Sequence, residues 1–105
     1  MDEILVEKVA ALTDFARNEP RDLYDAWYLI STEKMDLSLL VPEITSKLEF
    51  RGRTIDGMED VFMKKETRLK KLWQARLAHQ VVSLPHFEEV YRYVRRSFRA
   101  AGLLK

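Results

Sequence analysis

Apolar residues recur along this chain at helical spacing. Over residues 3–17, Leu5, Val9, Leu12 and Ala16 repeat every three or four positions, with Ile4 and Phe15 beside them. That period predicts a first helix across 3–17. Pro20 suits the first turn of a helix and starts a second one, running to about Ser31. Asp36 is placed to cap a third element. Pro42 divides that element, leaving a helix over 42–50 that stops near Arg51-Gly52, and a short helix follows Asp56. From about 60 to 80, VFMKKETRLKKLWQARLAHQ carries Val61, Leu69, Leu72, Trp73 and Leu77 as a broken stripe on a basic helix. Ser83 and Pro85 open the last helix, whose apolar face is Phe87, Val90, Tyr91, Val94 and Phe98. Gly102 then stops it. No strand pair is visible, so the expectation is an all-α fold of five to six helices in a compact bundle, one domain over 1–105.

Two of these helices carry charge where a core face should be purely apolar. Projected at about 100° per residue, Ile4, Phe15, Leu12, Leu5, Ala16 and Val9 span an arc of about 140°. Lys8 falls inside it, flanked by Phe15 and Leu12, with Glu3, Glu7, Asp14 and Arg17 on the opposite side. In the second helix Asp22 falls between Leu29 and Ala26, and Asp25 sits just outside the arc. A lysine can snorkel from such a place, and an acid near a helix start is favoured by the free amides there. Neither role needs Arg21, Asp22 and Asp25 together. If the helices run antiparallel, Lys8 lies roughly 13 Å back from the turn, Asp25 about 8 Å in and Asp22 about 4 Å in. Pairing of Lys8 with Asp25 is then easy and with Asp22 a stretch. A ligand or metal between them would engage all three.

Composition narrows the chemistry. The 105 residues are 47% hydrophobic and 33% charged, enough for a buried core, and only 3 Gly and 3 Pro occur. The absence of cysteine excludes disulfides and thiolate metal sites, and His79 and His86 are too few for a histidine metal cluster. Apolar runs fall far short of the roughly 20 residues that span a bilayer. Asp2 and Glu3 follow Met1 directly, unlike a secretory signal, and the expected setting is soluble and cytoplasmic. Charge is uneven: residues 1–60 hold 14 Asp/Glu against 7 Lys/Arg, a net of −7, while residues 61–105 hold 11 Lys/Arg against 3 Glu, a net of +8. The halves either complement each other or leave a basic face for nucleic acid, through Lys64, Lys65, Arg68, Lys70, Lys71, Arg92, Arg95, Arg96 and Arg99.

The stretch EKVAALTDFARNEPRDLYDAWYLI, Glu7 to Ile30, resembles the downstream motifs of the AbiEii/AbiGii-type nucleotidyltransferases, toxins of type IV toxin–antitoxin and abortive-infection systems. The matching positions are Glu7, Lys8, Ala11, Leu12, Arg17, Arg21, Asp22, Tyr24 and Asp25, and LPHFEEVYRYV near the end is similar to the family's C-terminal part. The resemblance implies a polymerase-β-like enzyme that binds a nucleoside triphosphate with magnesium and transfers nucleotides, in some members onto transfer RNA. It implies contact of Lys8 with the triphosphate and a role for Asp22 as essential acid, general base or charge-orienting group. Asp25 is the second candidate for that acid, and Arg21, with Arg17, braces the acid or a phosphate.

One part of the family pattern is missing. A Gly-Ser pair followed by closely spaced metal-binding aspartates belongs upstream, and no Gly-Ser dipeptide occurs in this sequence. The chain therefore reads as the helical C-terminal portion of such an enzyme, whether a truncated product, a partial chain or one half of a split protein. It is expected to be inactive alone and to bind neither cofactor nor metal by itself. The missing catalytic domain, a cognate antitoxin, RNA and a second copy of the chain are the partners this implies. The competing reading is a free-standing helical module that binds protein or nucleic acid. A conventional standalone enzyme ranks third, because no Ser-His-Asp set or glycine-rich phosphate loop is present.

Overall fold

In the computed structural model, which describes residues 2–104, the apolar stripes close on one another as a helical bundle. The described residues form six α-helices: α1 Asp2–Leu12, α2 Pro20–Ser31, α3 Val41–Phe50, α4 Met58–Lys64, α5 Glu66–Leu77 and α6 Phe87–Ala100. Short 3-10 helices at Leu37–Leu40 and Ile55–Gly57 lead into α3 and α4. No strand occurs among the described residues, so the expected all-α class holds.

Helix α2 is central and packs on α1, α5 and α6, while α3 covers the other side of α1. Its starting signal is Pro20 in the first turn with Glu19 as N-cap, whose carboxylate accepts from the Arg21 amide at 3.2 Å. Asp36 caps the following 3-10 helix through the Ser38 amide, as its position suggested. Leu5, Val9, Leu12, Leu23 and Ala26 are fully buried between α1 and α2. The far end is aromatic: Phe62 stacks on Tyr91 at 4.8 Å and tilts against Phe98 at 5.1 Å, and Trp73 meets Phe87 edge-on. Trp73 donates its indole N–H to the Pro85 carbonyl at 2.9 Å, which satisfies its one polar atom. The Tyr91 hydroxyl donates to the Phe62 carbonyl, and burial pushes its pKa up to about 12.

Two boundaries differ from expectation, and both matter for the site. The helix expected over 3–17 ends at Leu12. Thr13 turns its hydroxyl back onto the Val9 and Ala10 carbonyls, and the Asp14 carboxylate accepts from the Ala16 amide, so both side chains compete with helix continuation. Phe15 is therefore exposed rather than part of a core arc, and Ile4, in the first turns of α1, is exposed as well. The helix expected over about 60–80 breaks at Lys65 into α4 and α5. Its buried stripe runs Met58, Phe62, Lys65, Leu69, Trp73 and Leu77, with a lysine in the middle.

Candidate functional site

Ending α1 at Leu12 brings Lys8 within one turn of the connection and opposite the first turns of α2. Its ammonium lies 3.0 Å from Asp25 Oδ2 and 3.3 Å from Asp22 Oδ1. The pairing with Asp22 that looked like a stretch from a longer helix is thus made. Arg17, expected on the solvent side of that helix, lies instead in the turn and folds back. Its Nε donates to Asp22 Oδ2 at 2.6 Å and its Nη2 to Asp22 Oδ1 at 3.2 Å. Arg21 donates through Nε to Asp25 Oδ1 at 2.9 Å, one helical turn away, and through Nη1 to Gln80. All five residues singled out in the sequence meet in one cluster: Lys8, Arg17, Arg21, Asp22 and Asp25.

Burial divides their roles. Asp22 is 2% exposed and accepts from three N–H donors, leaving little of its lone-pair capacity. Lys8 and Asp25 are about one-fifth exposed, whereas the Arg17 and Arg21 side chains are roughly half exposed. Burial pulls the Lys8 ammonium down, but the bonds and charges of Asp25 and Asp22 outweigh it and hold its pKa above the ordinary value. The hydrogen bond to Asp22 raises that of Arg17 in the same sense. Lys8 and Arg17 therefore stay protonated beside a buried acid.

That arrangement does not fit magnesium. The ion demands several oxygens at about 2.0–2.1 Å in near-octahedral array. Each Asp22 and Asp25 oxygen already accepts from a cation. No group of three or more His, Cys, Asp or Glu able to hold a metal ion occurs among the described residues.

Glu7, next to Lys8, faces the other way and pairs with Lys47 and Arg51 of the α3 end, with the Lys47 hydrogen bond holding its carboxyl below the usual range. A groove of about 720 Å³ opens on that side, between α1 and α3, with Phe50 and Pro42 against Glu3 and Glu43. None of the five cluster residues lines it. Of the basic residues expected to face nucleic acid, Arg68, Lys71, Arg92 and Arg96 are exposed, while Lys64 pairs with Asp60 and Lys70 with Glu88. Lys65 is buried, 2% exposed, and belongs to the interior. The signal that marks it was present in the sequence: Lys65 lies three residues after Phe62 and four before Leu69, on their face. No helix of the described residues is long and apolar enough to cross a membrane.

Compared with known proteins, residues 1–100 match the family model described as the nucleotidyl transferase AbiEii toxin of type IV toxin–antitoxin systems. No curated protein and no solved structure matches the chain.

Proposed function

The chain belongs to the AbiEii nucleotidyl transferase toxin family, and on that premise we propose that its cluster is the phosphate-engaging half of a nucleotide-transfer site. In this reading Lys8 meets the triphosphate of the incoming nucleotide, and Arg17 and Arg21 flank it. The observation that carries the proposal is the convergence of Lys8 and Arg17 on the buried Asp22, with Lys8 and Arg21 meeting on the neighbouring Asp25. A triphosphate takes hydrogen bonds from such fixed, charged donors at little reorganisation cost.

Asp22 then acts as a charge-orienting group rather than a general base. A base must reach the proton it removes and have a lone pair for it. Asp22 is enclosed and occupied by Lys8 and Arg17. Asp25, more exposed, does the same for Lys8 and Arg21. The metal-binding aspartates belong to the family's Gly-Ser-containing part, which is not in this sequence, and the transfer step needs them. Ile4 and Tyr28, each exposed and about one turn from Lys8 and Asp25, supply apolar surface beside the cluster for that part to cover. A cognate antitoxin is the partner expected for the assembled toxin, and the exposed Arg68, Lys71, Arg92 and Arg96 offer an RNA acceptor its phosphate contacts.

Calorimetric titration of ATP into the chain without added metal tests this. Wild type binds weakly, and Lys8→Met loses at least about tenfold in affinity, the cost of one charge-assisted contact. Equal affinity of the two proteins overturns the assignment.

A further inference from the structure

The carbonyl end of α1 is held by two cations that come from far along the chain. Arg53 Nη1 donates to the Thr13 carbonyl at 2.7 Å and to the Ala10 carbonyl at 3.3 Å. Lys65 Nζ donates to the Ala11 carbonyl at 3.0 Å and to the Asp14 carbonyl at 3.1 Å. Helix ends rarely need this. In the same chain α6 closes with Gly102 at φ +83°, the Leu103 amide bonding the Phe98 carbonyl and the Gly102 amide that of Arg99. At α1 the fold instead buries an ammonium, which desolvation pulls down to about 8. Arg53 also keeps its Nη2 buried with no acceptor among the described residues. Two costs of this kind at one helix end call for a reason beyond ending a helix.

The turn that follows supplies one. The Asp14 carbonyl accepts from Lys65 Nζ and also from the backbone amide of Arg17, each at 3.1 Å. The Arg17 side chain then runs to Asp22. A continuous series of hydrogen bonds therefore links Lys65 through this turn to the buried acid. Both clamping residues are aimed by local devices. Gly52, at φ +71°, ends α3 with the Arg53 amide on the Leu48 carbonyl at 2.8 Å, and this turns Arg53 toward α1. Lys65, at the break between α4 and α5, keeps its helical spacing to Phe62 and Leu69 and so lies on their buried face.

We propose that Lys65 and Arg53 are positioning residues of the site, which fix the Thr13–Arg17 turn so that Arg17 meets Asp22 in a single geometry. The proposal rests on the reading of Asp22 as the group that orients Lys8 and Arg17 for phosphate. Lys65 and Arg53 act through Arg17 and touch no nucleotide. Together with Lys8 and Arg17 they bring four cations, and Asp14, Asp22 and Asp25 three acids, to one end of the α1–α2 pair. The turn therefore has only a few charge-compatible arrangements.

The Nε–H of Arg17 reports this directly, because its exchange with water slows only while its bond to Asp22 is closed. In NMR of the full chain, Lys65→Met and Arg53→Met are each expected to speed that exchange by about tenfold or more. The Val90 and Val94 amides of α6 are expected to exchange as in wild type. Arg53→Lys, which keeps a donor, is expected to restore most of the Arg17 protection. Affinity for inorganic tripolyphosphate is expected to fall with the Arg17 protection, variant by variant. Unchanged Arg17 exchange in both folded methionine variants overturns the proposal. So does an equal acceleration at Arg17 and throughout α6, or loss of the fold in both variants, since each assigns the clamp to global stability alone. Failure of the wild type to bind tripolyphosphate overturns the phosphate reading and leaves the Arg17 result to decide the positioning claim separately.

Discussion

Arg17 donates through Nε to Asp22 Oδ2 at 2.6 Å, from a turn five residues earlier in the chain. Asp22 is 2% exposed, and the side chain of Arg17 is about half exposed. The pair joins a buried acid to a cation still open to an incoming anion, and Lys8 completes it from the facing helix.

Removing the charge of Asp22 should be the more costly of the two acid substitutions. Asp22→Asn leaves Lys8 and Arg17 competing for a poorer acceptor in a water-poor setting, a loss of about 2 kcal/mol. Asp25→Asn touches cations that can turn to solvent and should lose under about 1 kcal/mol. Urea denaturation of both variants checks the order, and equal losses contradict the burial argument.

Lys65 gives stability a distinct pH dependence. Burial sets its folded pKa at about 8, against an ordinary value of 10.5. Between those values the unfolded chain holds the extra proton, so stability rises with pH through that window and the contribution is unfavourable below it. Lys8 and Tyr91, both raised, act in the opposite sense only at higher pH. Wild type measured against Lys65→Met should gain about 1–2 kcal/mol between pH 7.5 and 9.5. A flat difference contradicts the buried-ammonium assignment.

The aromatic end should carry much of the fold's stability. Phe98 is fully buried against Phe62, and truncation to alanine leaves a cavity costing about 3–5 kcal/mol. Thermal denaturation reads this, and a loss below about 1 kcal/mol would mean that the end is loosely packed.

Most of this fold was legible in apolar spacing, because α2, α3 and α6 have clear start and stop signals in Pro20, Pro42, Gly52 and Gly102. The two misplaced boundaries share a cause. Thr13 and Asp14 are compatible with helix by pattern, and only their hydrogen bonds back to the chain end α1 at Leu12. Lys65 shares the face of Phe62 and Leu69 by spacing, but the basic run around it hides that signal, and its partners, the carbonyls at the end of α1, are distant in the chain. The cluster itself was visible as charge out of place at Lys8 and Asp22. The part played by Arg17 was legible only through the family motif, since periodicity put it on the far face of a helix that ends before reaching it.

The basic face and the cluster make different demands on salt. Binding of single-stranded RNA through Arg68, Lys71, Arg92 and Arg96 releases counterions. Its affinity should fall by about tenfold or more between 50 and 200 mM salt. Filter binding at both salt levels checks it, and equal affinities remove RNA contact through this face.

The most direct test of the phosphate-engaging cluster is side-chain NMR of the full chain during titration with inorganic tripolyphosphate. Saturable shifts of the Lys8 ammonium and of the Arg17 and Arg21 Nε–H groups are expected, with Asp22→Asn weakening all three together. Shifts confined to Arg68, Lys71, Arg92 and Arg96, with Lys8 unmoved, would contradict the phosphate-engaging role.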